Sequence, residues 1–126
     1  MPLKKVLIVD DSTTMRKIVA RVLRQADIAI EQVLEAANGI EALERLASNP
    51  DIQLVLSDVN MPAMDGIALV RAIREQRSKE ALPLIMVTTE SGNPMVQAAL
   101  DSGANGYVTK PFNSDSMRGA LEAYLG

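Results

Sequence analysis

Leu54-Val55-Leu56-Ser57-Asp58-Val59-Asn60-Met61-Pro62-Ala63-Met64-Asp65-Gly66 is the stretch from which the rest of the chain is read. Three consecutive aliphatic residues suit a strand buried on both faces. The apolar run ends as Asp58 is reached, and Pro62 with Asp65-Gly66 demands a turn before a new helical pattern begins. Strands buried on both faces belong to parallel sheets, whose ligands bind outside the carboxyl ends of the strands. Asp58 stands at such an end, which makes it a candidate for chemistry.

On the amino-terminal side, Val6-Leu7-Ile8-Val9 is a second continuous apolar strand, stopped by Asp10-Asp11. Ser12, Thr13 and Thr14 can cap a helix with Met15, Ile18, Val19, Val22, Leu23 and Ala26 on one face and Arg16, Lys17, Arg21 and Arg24 outside. Val33-Leu34-Glu35-Ala36 reads as a weaker strand. Asn38 then caps a helix carrying Ile40, Leu43, Leu46 and Ala47, ended by Asn49-Pro50. Beyond the central strand, a helix faces Ile67, Leu69, Val70 and Ile73 inward. Leu84-Ile85-Met86-Val87 is the fourth strand and ends in Thr88-Thr89-Glu90. Gly92-Asn93-Pro94 opens a helix with proline at its first position, carrying Val96, Ala99 and Leu100 inward and ending near Gly103. Gly106-Tyr107-Val108-Thr109 is a short fifth strand broken by Lys110-Pro111. A last helix starts near Asn113 and packs Met117, Leu121, Tyr124 and Leu125. Five strands alternating with five helices predict an α/β fold: a parallel sheet covered on both faces.

The 126 residues are expected to form one domain, 1–126, with no repeat, linker or output domain. A formal charge of −3 and the lack of a basic run argue against nucleic acid as a partner. No apolar stretch is long enough to span a bilayer, and no cleavage-site pattern follows the amino terminus. Cysteine is absent, which permits the reducing cytoplasm, the expected location. With neither His nor Cys, thiol nucleophiles, imidazole bases and ordinary zinc sites are excluded. Any phosphohistidine would belong to a partner.

Parallel strands bring Asp10, Asp11, Asp58, Thr88 and Lys110 to one edge of the sheet. Crowded carboxylates repel one another unless a cation joins them. An oxygen-only set favours a hard ion, and Mg²⁺ fits because it tolerates retained waters and phosphate ligands. Lys110 adds a positive charge and Thr88 a hydroxyl donor. These groups around a carboxylate suit an incoming phosphoryl group, with Asp58 as the nucleophile and an acyl phosphate as product.

The segments Val9–Arg16, Asp58–Gly66, Met86–Thr88 and Gly103–Phe112 together resemble the receiver domain of two-component response regulators, nearest to the stand-alone CheY-like chemotaxis type. The resemblance covers essentially the whole chain. It implies a flavodoxin-like sheet of order 2-1-3-4-5 and phosphorylation of Asp58 by a partner histidine kinase. It also implies Mg²⁺ held by Asp11 and Asp58, by Asp10 through water, and by the backbone carbonyl of Asn60. Thr88 and Tyr107 would be the switch residues. The surface of the fourth helix, fifth strand and fifth helix would meet a downstream protein, the chain acting as a monomer without membrane insertion. A cis Lys110–Pro111 peptide bond is implied as well.

Asn60, Thr89 and Glu90 are the positions expected to modulate rates. Thr89 departs from the family, which usually has alanine or glycine there, and its bulk is expected to slow loss of the phosphoryl group. Gly92-Asn93-Pro94 stands where the chemotaxis type carries lysines that bind its partners. Two other readings compete. A haloacid-dehalogenase-type phosphohydrolase would share the nucleophile, Mg²⁺, threonine and lysine, but needs a general acid where Asn60 stands and a cap for which the chain has no room. A scaffold receiver that is never phosphorylated would not need the Asp10, Asp11, Asp58, Thr88 and Lys110 set.

Overall fold

A computed structural model describes residues 3–58, 66–79, 81–88, 94–110 and 112–122. The elements alternate as expected: β1 Leu3–Val9, α1 Thr13–Gln25, β2 Ile30–Ala36, α2 Gly39–Ser48, β3 Ile52–Asp58, α3 Gly66–Arg74, β4 Leu84–Thr88, α4 Pro94–Ser102, β5 Gly106–Thr109 and α5 Ser114–Leu121. All strand pairs are parallel and the order is β2-β1-β3-β4-β5, a flavodoxin-like sheet.

Alternation along the strands divides the core in two. Leu7, Val9, Val55, Leu84 and Met86 point to one face and pack with Ala42, Leu46, Leu69, Val70, Ile73 and Ala99 of α2, α3 and α4. Val6, Ile8, Leu54, Leu56, Ile85, Val87 and Val108 point to the other and pack with Val19, Val22, Leu23, Met117 and Leu121 of α1 and α5. Both faces are therefore dry, as the unbroken apolar runs require.

The helix starts follow from capping. Ser12 accepts from the Met15 N–H at 3.2 Å, Asn38 from Glu41 at 2.9 Å and Asn113 from Ser116 at 2.8 Å, each satisfying an N–H that the helix cannot. Asn113 and Ser116 bond reciprocally as a capping box.

Two readings need correction, and the facing of one helix is added by the structure. The strands reach further than their apolar runs. β1 begins at Leu3 and β2 at Ile30; at the edge of the sheet, β2 tolerates the polar Glu31 and Gln32 that break its hydrophobic pattern. The buried face of α2 is Gly39, Ala42 and Leu46; Ile40 and Ala47 lie exposed. Gly39, Ala42 and Leu46 follow helical spacing along one face, which leaves Ile40 on another. Finally, Arg16 does not join Lys17, Arg21 and Arg24 in solvent; its side chain is only 14% exposed. Tyr124 and Leu125 lie outside the described residues.

Candidate functional site

Parallel register aligns the carboxyl ends of the strands. Val9 pairs with Ser57, Asp58 with Val87, and Thr88 with Thr109, so the next residues of β1 and β5, Asp10 and Lys110, fall beside Asp58 and Thr88. Among the described residues the buried polar side chains are Asp10, Ser57 and Thr88, and all three sit at this edge. Burying polar groups is costly unless each is paired. Their concentration at one end of an otherwise apolar sheet marks a site.

Asp10, Asp11 and Asp58 each offer a carboxylate oxygen, and these oxygens lie within 4.8 Å of one another. Lys110 Nζ stands 3.8 Å from Asp10 Oδ2 and 4.0 Å from Asp58 Oδ1. Asp10 is the innermost member. Its Oδ1 accepts from the Ser12 N–H at 2.9 Å, and its own N–H donates to the Ala36 carbonyl at 3.1 Å. Its carboxyl is held above the usual carboxylate range, first by burial, then by the Asp58 charge and a hydrogen bond with Asp11. The Ser12 N–H and Lys110 pull the other way without prevailing.

One ammonium does not balance three carboxylates. An all-oxygen trio with a buried member that resists ionisation fits a hard divalent cation such as Mg²⁺, which would let all three ionise together. Asp11 is exposed and Asp58 half-buried, so the cluster is reachable from solvent.

Of the residues expected from sequence, Asp10, Asp11, Asp58 and Lys110 come together by measured distance, and Thr88 closes the same edge. Tyr107 is 39% exposed on β5. Asn60, Thr89, Glu90 and Pro111, and with it the expected cis bond, lie outside the described residues. Two residues were missed. Ser57 is fully buried, its hydroxyl donating to the Asp58 carbonyl at 3.0 Å; the signal was a lone polar residue closing an apolar run. Arg16 donates from Nη1 to the Asp10 carbonyl at 2.7 Å, and its place among exposed basic residues gave no hint of that.

Residues 6–122 match the family described as the response regulator receiver domain. The chain belongs to that family. Within it, a chemotaxis protein CheY homolog of Campylobacter jejuni is 43% identical over 122 residues, covering 97% of this chain and 92% of that protein. Among solved structures, a probable two-component system response regulator/GGDEF domain protein superposes with a TM-score of 0.87 at 37% identity. That match covers 97% of this chain but 49% of the other, so the receiver spans about half of that longer protein. The CheX-CheY-BeF3-Mg²⁺ complex from Borrelia burgdorferi contains a chain with a TM-score of 0.80 at 27% identity, covering 95% of this chain and 87% of that one. The chain is thus a receiver of the kind found in CheY-type chemotaxis regulators, a family of signalling switches. No helix among the described residues is long and apolar enough to cross a membrane.

Proposed function

We propose that this receiver is a phospho-switched signalling protein in which Asp58 accepts a phosphoryl group from the phosphohistidine of a kinase. The observation that carries the reading is the placement of the Asp58 carboxylate at the end of β3, with two further carboxylates within 4.8 Å and Lys110 Nζ at 4.0 Å. Asp11 and Asp58 would hold Mg²⁺ directly, Asp10 through water, and Asn60 through its carbonyl. When bound, the ion supplies positive charge to the carboxylates and to the oxygens of the transferring group.

An Asp58 oxygen attacks phosphorus in line as the bond to the donor nitrogen breaks, leaving an acyl phosphate on the aspartate and a neutral imidazole on the donor. Lys110 faces the charge on the phosphoryl oxygens. The Thr88 hydroxyl, at the end of the adjacent strand, donates to the modified aspartate. That contact biases an existing equilibrium, with Tyr107 and the surface of α4, β5 and α5 responding to it. Asn60, Thr89 and Glu90 tune the rates. The whole 1–126 segment acts as one monomeric domain in the cytoplasm, and its downstream partner is a protein. The relative solved with CheX, BeF3 and Mg²⁺ supports both the ion and a protein partner by analogy. A phosphohydrolase reading finds no support in the family match.

The test is the intact mass after exposure to acetyl phosphate or beryllofluoride, with and without Mg²⁺, for the wild type and Asp58→Asn. A Mg²⁺-dependent adduct that Asp58→Asn loses is the expected result. An adduct persisting in Asp58→Asn would place the acceptor elsewhere. If neither small reagent modifies the wild type, transfer from a phosphorylated histidine kinase is measured next, and failure there overturns the reading.

A further inference from the structure

The guanidinium of Arg16 turns back from α1 to the rim of the acidic cluster, where three acceptors from three parts of the fold receive it. Nη1 donates to the Asp10 carbonyl at 2.7 Å, Nε to Glu35 Oε1 at 2.8 Å and Nη2 to Thr13 Oγ1 at 3.1 Å. Glu35 belongs to β2 and pairs in register with Ile8 of β1, while Thr13 opens α1. A planar fork of fixed donors suits such a three-way clasp.

The two adjacent aspartates depend on this clasp differently. Asp10 is already fixed, being buried and bound through its carboxylate to the Ser12 N–H. Asp11 is exposed, so packing does little to hold it. Apart from the hydrogen bond it shares with the Asp10 carboxyl, its position follows from the peptide that precedes it, whose carbonyl oxygen belongs to Asp10. Because the peptide unit is planar, fixing that oxygen fixes the Asp11 nitrogen and Cα as well.

We infer that Arg16 is a positioning residue: by holding the Asp10 carbonyl it orients the Asp10–Asp11 peptide and so places the Asp11 carboxylate for the divalent cation. The inference rests on the cation reading of the site proposed above. Groups that orient ligands without touching the metal commonly control its affinity.

Electrostatics makes the test sharp. A guanidinium beside an acidic cluster repels an incoming cation, so charge alone predicts that removing Arg16 tightens Mg²⁺ binding. Positioning predicts the reverse. Calorimetric titration with MgCl₂ is run on the wild type, Arg16→Ala, Arg16→Lys and Lys17→Ala, at a temperature where circular dichroism shows each one folded. Lys17→Ala removes the same charge from the adjacent, exposed position and is expected to bind Mg²⁺ as well as the wild type or slightly better. Arg16→Ala and Arg16→Lys are expected to bind about tenfold more weakly, since lysine is a point charge that cannot span the three acceptors. The Asp11 amide resonance of the metal-free protein is expected to shift in both Arg16 variants and to stay put in Lys17→Ala, a readout available even where a variant is only marginally stable. Unchanged or tighter Mg²⁺ binding in Arg16→Ala, or wild-type affinity in Arg16→Lys, overturns the inference while leaving the cation reading intact. Absence of Mg²⁺ binding in the wild type overturns the cation reading itself and this inference with it.

Discussion

Arg74 Nε donates to the Gly103 carbonyl at 2.8 Å, and the Arg74 side chain occupies the space that a Cβ on residue 103 would need. The same guanidinium reaches the carbonyls of Ser78 at 3.0 Å and Leu82 at 2.9 Å, and Asn105 Oδ1 at 2.8 Å. That Asn105 oxygen also accepts from the Leu84 N–H at 2.9 Å. One arginine thus ties the end of α3 to the start of β4 and to the turn between α4 and β5. It does so at the end of the sheet opposite the carboxylates.

Gly103→Ala is expected to destabilise the domain by about 2–4 kcal/mol, for two reasons that act together. Gly103 has φ +123°, which side-chain-bearing residues rarely adopt, and the new Cβ would come 2.7 Å from Arg74 Cγ. Arg74→Lys should lose nearly as much stability as Arg74→Ala, because an ammonium cannot serve acceptors spread across a planar fork. Urea unfolding measures all three. A Gly103→Ala midpoint equal to that of the wild type would show that the α4–β5 turn can relax around the added methyl.

The rotation of α2 makes a second expectation. Ile40 is 49% exposed whereas Ala42 is fully buried. Ile40→Gln should change stability by no more than about 0.5 kcal/mol, while Ala42→Leu should cost about 1–3 kcal/mol by forcing the helix away from β1 and β2. The opposite ranking in denaturant unfolding would place Ile40 in the core.

That helix shows where sequence reading stops. Its apolar pattern does not tell which residues face the sheet: Leu46 does, but so do the small Gly39 and Ala42, which carry little hydrophobic signal, while Ile40 does not. Arg16 was illegible for a related reason: helical periodicity places its Cα toward solvent but does not say where a long flexible side chain ends. The edge strand β2 was read short because Glu31 and Gln32 interrupt its pattern. By contrast, the caps Ser12, Asn38 and Asn113 were legible, since each is a short polar residue directly before a helical pattern. The edge where Asp10, Asp58 and Thr88 gather was legible because the apolar runs Val6–Val9, Leu54–Leu56 and Leu84–Val87 each stop at or just before one of them. The strand order came from family resemblance rather than from periodicity, which does not distinguish one parallel arrangement from another.

The raised Asp10 carboxyl gives a pH dependence with a definite sign. An acid whose folded pKa exceeds its unfolded value binds more protons when folded, so its ionisation costs stability as pH rises through the folded pKa. In metal-free protein, Asp10→Asn should therefore be more stable than the wild type at neutral pH. The advantage should shrink as the pH falls toward the ordinary carboxylate range, where the wild-type group is protonated. Asparagine can keep the acceptor for the Ser12 N–H, so that hydrogen bond is not at stake. Added Mg²⁺ should narrow the neutral-pH gap by stabilising the wild type more than the variant. Thermal unfolding in EDTA at a series of pH values checks the sign. A less stable Asp10→Asn at neutral pH would mean that the carboxylate's attraction to Lys110 outweighs its burial and repulsion.

Lys110→Met separates binding of the cation from transfer of the phosphoryl group. Lys110 Nζ lies 3.8 Å from Asp10 and 4.0 Å from Asp58, so it competes with a divalent cation for the same carboxylates. Its removal should tighten Mg²⁺ binding, because the incoming ion no longer meets a resident positive charge. Yet the phosphoryl oxygens would lose the ammonium that faces them, and modification by a small phosphodonor should slow by on the order of 100-fold even at saturating Mg²⁺. Calorimetry and time-resolved intact mass read the two effects separately. A variant that binds Mg²⁺ more weakly would instead identify Lys110 as a support that holds the two aspartates in place. A variant modified at the wild-type rate would leave the cation and the Thr88 hydroxyl sufficient for transfer and remove the lysine from it.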